Sequence, residues 1–169
     1  MMNRGVIGVA GLALLVTTGP VLAAMEDIVV SATRRDQDLQ DVPLAVSAFS
    51  GEQIEKLQMV AAQDIGDAVP NLLTYTVTAG AQAMQVAARG TAIQNPGFNV
   101  SESPVGIYED DIYRGRLASS NLDLTDVERI EVLRGPQATL YGRNTIAGAI
   151  KIVTRTPGDD AWANGSIGY

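Results

Sequence analysis

Between Asp126 and Thr156 two apolar runs with the spacing of strands flank a glycine-rich break, and this arrangement limits the possible folds more than any other stretch. The first run places apolar side chains at Val127, Ile130, Val132 and Leu133; the second places them at Ile146, Ala149, Ile150, Ile152 and Val153. β-Branched types predominate from Ile150 to Thr154, and such side chains fit a pleated, half-buried sheet surface. Arg134-Gly135-Pro136 closes the first run with a turn, because Gly takes backbone angles closed to other residues while Pro fixes φ and lacks an N–H. Gly142 and Gly148 add two flexible points. The plain reading is strand, loop or short helix, strand: the frame of a small α+β domain.

The length of 169 residues suits one domain with room for a core. With 46% apolar and 18% charged residues the chain has a globular composition, and its 17 glycines point to many turns. There is no Cys and no His, so disulfides, thiol chemistry, Cys/His zinc sites and a Ser-His-Asp triad are all excluded. Arg34-Arg35 is the sole adjacent basic pair, and no cationic patch of the kind that holds a phosphate backbone is visible, so nucleic acid is not an expected partner. Neither G-x-x-x-x-G-K nor G-x-G-x-x-G occurs, and no phosphate loop is implied.

Residues 1–23 read as a secretory signal: Arg4 supplies the positive start, Val6 to Val16 the apolar run, and Val21 and Ala23 the small residues at which a peptidase cuts. The run is shorter than the roughly 20 residues of a membrane-spanning helix. Without Arg4, 11 basic residues stand against 19 acidic ones, a net charge of −8. Asp27 to Ala32, with an apolar triplet near the new amino terminus, reads as an extended segment, and Asp36 to Asp41 as a polar linker. Val42 to Phe49 alternates as a strand with Pro43 near its start. Ser50-Gly51-Glu52-Gln53 fits a capping box, which predicts a helix to about Met59, and a second helix is predicted from Ala61 to Val69, stopped by Pro70. Leu72 to Ala81, rich in Thr and Gly, fits an irregular strand, Gln85 to Gly90 comes next, and Gln94 to Gly97 is a turn or loop. Pro104 to Tyr108 and Ile112 to Arg116 read as a strand and its return around Glu109-Asp110-Asp111. Three adjacent acids suggest a hard cation, but the calcium-loop spacing is missing and successive side chains diverge, so a solvated turn is the expectation and no metal site is assigned. Ala163 to Tyr169 alternates toward an aromatic end in the manner of a transmembrane β-strand.

Three blocks carry a family resemblance: Arg129-Ile130-Glu131-Val132-Leu133-Arg134-Gly135-Pro136, Leu140-Tyr141-Gly142, and Ala147-Gly148-Ala149-Ile150-Lys151-Ile152-Val153-Thr154. In this order they closely resemble the signature at the end of the plug domain of TonB-dependent outer-membrane receptors, and three ordered blocks are more specific than one short motif. The resemblance runs from Asp27 to about Tyr169 and departs at Ala88, where the family usually has Ile before Arg-Gly.

That resemblance implies a mixed-sheet plug with short helices, in the outer membrane of a Gram-negative bacterium, filling a barrel of about 22 strands. It implies a signal peptide over 1–23, a TonB box and linker over 24–41, the plug over 42–157, and over 158–169 the start of a barrel that the chain does not complete. Asp27, Ile28, Val29, Val30, Ser31 and Ala32 are similar to the TonB box, which adds as a strand to the periplasmic domain of TonB. Arg89, Glu131 and Arg134 are charges in or beside apolar runs and need partners, within the plug or on acids of the barrel wall. Gly90, Gly135, Pro136, Gly142 and Gly148 are expected to serve backbone geometry. The implied role is gating of active uptake, with a ferric siderophore as the leading ligand and cobalamin or a saccharide as others, and with no enzymatic activity and no cofactor. Two other classes stand beside it. A secreted, plug-like periplasmic module is one; a carboxylate-dependent enzyme using Glu109, Asp110 and Asp111 is the other, though nothing sets those acids across a cleft.

Overall fold

The computed structural model describes residues 28–32, 34–35, 37–76, 83–91 and 102–158. The leader, Asp27, the loop at 94–97 and the strand expected over 163–169 lie outside the described residues. The architecture is α+β, with one five-stranded mixed sheet and two small two-stranded ones. Strand β1 (Val29–Val30) pairs antiparallel with β2 (Gln37–Asp38). β3 (Val46–Ser50) leads into α1 (Gly51–Lys56), and α2 (Ile65–Ala68) precedes the antiparallel pair β4 (Leu72–Thr76) and β5 (Met84–Ala88). β6 (Val105–Glu109) turns back into β7 (Ile112–Tyr113), and β8 (Val127–Arg134) reaches β9 (Gly148–Thr154) through α3 (Ala138–Tyr141). The main sheet runs β3-β8-β9-β6-β7, antiparallel except for β6 beside β9.

Local chemistry accounts for the boundaries. The amide of Gln53 donates to Ser50 Oγ while Gln53 Oε1 accepts from the amide of Ser50, so the capping box is closed. Helix α1 stops at Lys56, short of the predicted Met59, because Gln58 adopts a left-handed φ of 53° and the amide of Met59 folds back to Ile54 O. The second predicted helix divides into a 3-10 turn, Ala62–Asp64, and α2, since the Asp64 carboxylate accepts the amides of Val60 and Ala61 and winds the entry tightly. The strand expected from Val42 begins at Val46: Pro43 has no N–H to give, and Val42 turns its side chain into the core.

The two-residue period of β8 and β9 puts different chemistry on the two sheet faces. Ile130, Val132, Ile150 and Ile152 join Val105 and Ile107 on one face, beneath Ile54, Ile65, Met84 and Val86. Leu133 and Ala149 lie on the other with Tyr108 and Tyr141, covered by Val30, Ala32 and Val42 from the amino-terminal segment. Glu131 and Lys151 share the period of this second face and stand directly opposite each other in the β8–β9 register. An ion-bearing face is thus roofed by a short extended segment rather than by a helix.

Candidate functional site

Under that roof the charged side chains converge on one residue of the segment, Ser31. Its amide donates to Glu131 Oε1 at 2.9 Å, and its hydroxyl lies 3.2 Å from the same oxygen. Lys151 Nζ donates to Ser31 Oγ at 2.6 Å, and Arg129 Nη2 reaches it at 3.4 Å. Arg129 Nε also donates to Glu131 Oε1, at 2.9 Å, so three donors meet on one carboxylate oxygen while Oε2, equally buried, has no hydrogen-bond partner among the described residues. Glu131 is fully buried and Lys151 nearly so. Such ions are held in a low-dielectric interior by mutual pairing and hydrogen bonds. Burial works against the charge of Arg129, but Glu131, with help from Glu128, outweighs it and keeps the proton bound more tightly than usual.

Tyrosines fix the segment from the side. Tyr141 Oη donates to Ala32 O at 3.0 Å and lies 3.4 Å from Ser31 O, and Arg34 stacks over the Tyr141 ring at 5.2 Å while bonding Leu140 O. Tyr108 Oη donates to Tyr141 O and meets its ring edge-on. Burial, joined by the nearby Glu131 charge, pushes the Tyr141 hydroxyl up to about 12, and burial likewise raises Tyr108. A cavity of about 490 Å³ opens beside this assembly, lined by Ser31, Arg34, Arg35, Asp111, Arg129 and Lys151 among others.

The acidic turn serves structure, each of its members facing a different partner. Glu109 pairs with Arg114; Asp110 accepts the amide and hydroxyl of Thr154 at 2.9 and 2.7 Å; Asp111 pairs with Lys151 at 3.0 Å. Asp110 and Asp111 have φ of 46° and 67°, the pair of positive values that lets a two-residue loop follow the twist of β6 and β7. The divergence of successive side chains, expected from the sequence, is thus realised as three separate contacts.

At the far end of β8 the arrangement is different. Arg134 is half-buried with its Nε unpartnered, and Arg89, at the end of β5, is exposed. Among the described residues no ion pair or hydrogen bond engages either guanidinium, yet the two lie close: a β-carbon on Gly135 would meet Arg89 Nη1 at 3.1 Å. Gly135 therefore leaves room for Arg89 to cross. Gly135, Gly142, Gly90 and Gly148 have φ of +113°, +90°, +80° and +159°, and a β-carbon at Gly148 would collide with the Leu133 carbonyl across the β8–β9 register. Pro136 is exposed beyond the turn.

The structure thus separates the three charges singled out from the sequence, placing Glu131 at the docked segment and Arg89 with Arg134 at the open end. Of the segment itself, Val29 is 47% exposed and Ile28 half-buried, while Val30, Ser31 and Ala32 are buried; Asp27 lies outside the described residues. Lys151 and Arg129 were not singled out. Lys151 carried the same signal that marked Glu131, one charge between apolar neighbours Ile150 and Ile152.

The family model of the TonB-dependent receptor plug domain matches residues 38–149. The chain belongs to the TonB-dependent receptor plug family. The plug domain is 34% identical over 137 residues to an iron-regulated outer membrane virulence protein of Vibrio cholerae, covering 77% of this chain and 20% of the relative. It is 32% identical over 159 residues to the vitamin B12 transporter BtuB of Photobacterium profundum, covering 90% of this chain and 25% of that protein. The chain therefore spans about a fifth to a quarter of the length of these curated relatives. Among solved structures, the ferric yersiniabactin uptake receptor FyuA of Yersinia pestis aligns with a TM-score of 0.60 and 26% identity, over 68% of this chain and 17% of that one. The pyoverdine receptor FpvA of Pseudomonas aeruginosa aligns with a TM-score of 0.60 and 16% identity, over 77% of this chain and 18% of its own, a likeness of fold. Membership puts this plug in the outer membrane of a Gram-negative bacterium, in a family of receptors and transporters rather than enzymes.

Proposed function

We propose that this chain is the gating plug of a receptor for active uptake of a scarce ligand, a ferric siderophore, across the outer membrane. Residues 1–23 direct export, 24–41 carry the TonB-binding segment and linker, 42–157 form the plug, and 158–169 lead into a surrounding barrel. TonB takes hold of Asp27 to Ala32 by adding them to its own sheet, where main-chain hydrogen bonds supply the grip. Arg89 and Arg134 meet acids of the barrel wall at the opposite end. The observation that carries this reading is the pairing of a family match over 38–149 with a short extended segment ahead of it that is docked by polar contacts. The similarity to an iron-regulated protein and to a ferric yersiniabactin receptor supports the siderophore, while the similarity to a vitamin B12 transporter supports cobalamin as the second reading.

Ile28→Pro in the complete receptor tests the reading. Proline removes a main-chain donor from the segment and should abolish energised uptake while ligand binding at the outer face persists. Undiminished uptake in that variant would remove Asp27 to Ala32 from the role of TonB-binding segment.

A further inference from the structure

We propose that the cavity of about 490 Å³ beside Ser31 is a binding site for a phosphate-bearing anion, held by Arg34, Arg35, Arg129 and Lys151. The site does not depend on what the plug gates.

Its charges gather against the trend of the composition. In a chain of net charge −7, Arg34-Arg35 is the one adjacent basic pair, and both residues line this cavity. Arg34 has a left-handed φ of 59°, and its amide closes a turn on Ser31 O, which brings the pair to the same cavity as Arg129 of β8 and Lys151 of β9. Four cations thus arrive from three separate stretches of chain.

The carboxylates of the wall are already engaged. Asp110 accepts the amide and hydroxyl of Thr154, and Asp111 pairs with Lys151. Arg129 is held by Glu128 and Glu131. Among the described residues no carboxylate pairs with Arg34 or Arg35. Arg34 gives its Nε to Leu140 O and stacks on Tyr141, which fixes the guanidinium and leaves its terminal nitrogens without a partner among the described residues. Two guanidiniums therefore lack a counter-charge, and a phosphate monoester brings about −1.5 to −2 at neutral pH.

The spread of donors selects the shape of the anion. Two of the three Lys151 N–H groups go to Ser31 and Asp111, and the guanidiniums approach from the amino-terminal segment and from β8. A tetrahedral group with three acceptor oxygens meets such a spread, whereas a carboxylate offers two oxygens in one plane. The volume lies within the roughly 300–1,000 Å³ of small-molecule sites, so the group esterified to the phosphate enters as well. Val153 is the sole apolar lining residue among the described ones, so that group is polar, such as a glycerol or a sugar.

Calorimetric titration of this chain with inorganic phosphate, glycerol 3-phosphate and acetate tests the site. Saturable binding of both phosphates at one site is expected, with acetate much weaker. Arg35 is exposed, so Arg35→Gln keeps the fold; it should weaken binding by about fivefold, and Arg34→Gln combined with Arg35→Gln by about tenfold or more. Lys56→Gln removes the same charge from α1, which packs on the opposite face of the sheet, and is expected to leave the affinity unchanged. Sedimentation with phosphatidylcholine vesicles, with and without phosphatidic acid, separates the two sources of a phosphate monoester. Binding that needs phosphatidic acid and is lost in Arg35→Gln assigns a lipid headgroup; glycerol 3-phosphate binding without vesicle binding assigns a soluble ester. No saturable binding of either phosphate, acetate bound as tightly, or equal weakening by Arg35→Gln and Lys56→Gln would overturn the proposal.

Discussion

At the start of β8, Arg129 and Glu131 find partners inside the domain, in each other, Ser31 and Glu128; at its end, Arg134 and the neighbouring Arg89 find none among the described residues. The two ends lie on one strand of eight residues and were marked by the same feature, a charge beside apolar neighbours. What differs is the cover. The first end is roofed by the amino-terminal segment and Tyr141, while the second meets a turn whose glycine makes space for a second cation rather than for an anion. A charge in an apolar strand is thus two signals under one appearance: an internal clasp where the domain brings its own counter-charge, and a guanidinium that meets no counter-charge among the described residues.

Truncating Glu131 should separate the two ends most sharply. Glu131→Leu leaves the partly buried Arg129 and the Ser31 amide without the carboxylate they share, and breaking a buried pair in this way costs about 3–5 kcal/mol. Urea unfolding of this chain would register that loss, alongside Arg134→Leu as the matched change at the other end. Equal destabilisation by the two would abolish the distinction.

Tyr141→Phe probes the roof with a smaller step. It deletes the hydroxyl held by Ala32 O, a loss of about 1 kcal/mol, and leaves the ring in place against Tyr108. The same variant has a pH signature. Because the folded chain binds the Tyr141 proton more tightly than the unfolded chain does, its contribution is complete below the ordinary tyrosine range of about 10 and is lost as pH rises toward about 12. Thermal unfolding between pH 9 and pH 12, an interval of about three units spanning that shift, should fall more steeply for the native chain than for the phenylalanine variant. Parallel curves would show that the hydroxyl does not report on the docked segment.

The smallest effect on this chain is expected from Arg89→Ala combined with Arg134→Ala. With no partner to lose among the described residues, the pair should shift stability by no more than about 0.5 kcal/mol. In the complete receptor the same double change should loosen the plug in its barrel, read as faster passage of a small solute through reconstituted receptor. A large loss of stability in the chain alone would mean that these guanidiniums have an internal role after all.

Much of this architecture was legible locally. The alternation in Val127 to Leu133 and in Ile150 to Val153 yields β8 and β9, the Ser50 capping box yields α1, and the acidic turn yields the β6–β7 hairpin, because each depends on residues within one turn or one strand of one another. The helix ends at Lys56 and Ala68 were less legible, since a left-handed Gln58 and the grip of Asp64 on two amides override a weak helical period.

By itself the sequence determined that the chain is a small α+β domain without Cys or His chemistry, and its three ordered blocks carry the resemblance to the plug family. The tertiary structure decided which charge answers which. Ser31 meets Glu131 across 100 residues and Lys151 across 120, and Arg89 comes beside Gly135 from a different sheet. No local pattern encodes such meetings: period two assigns a side chain to a face, but what covers that face depends on how distant segments pack once their loops have closed.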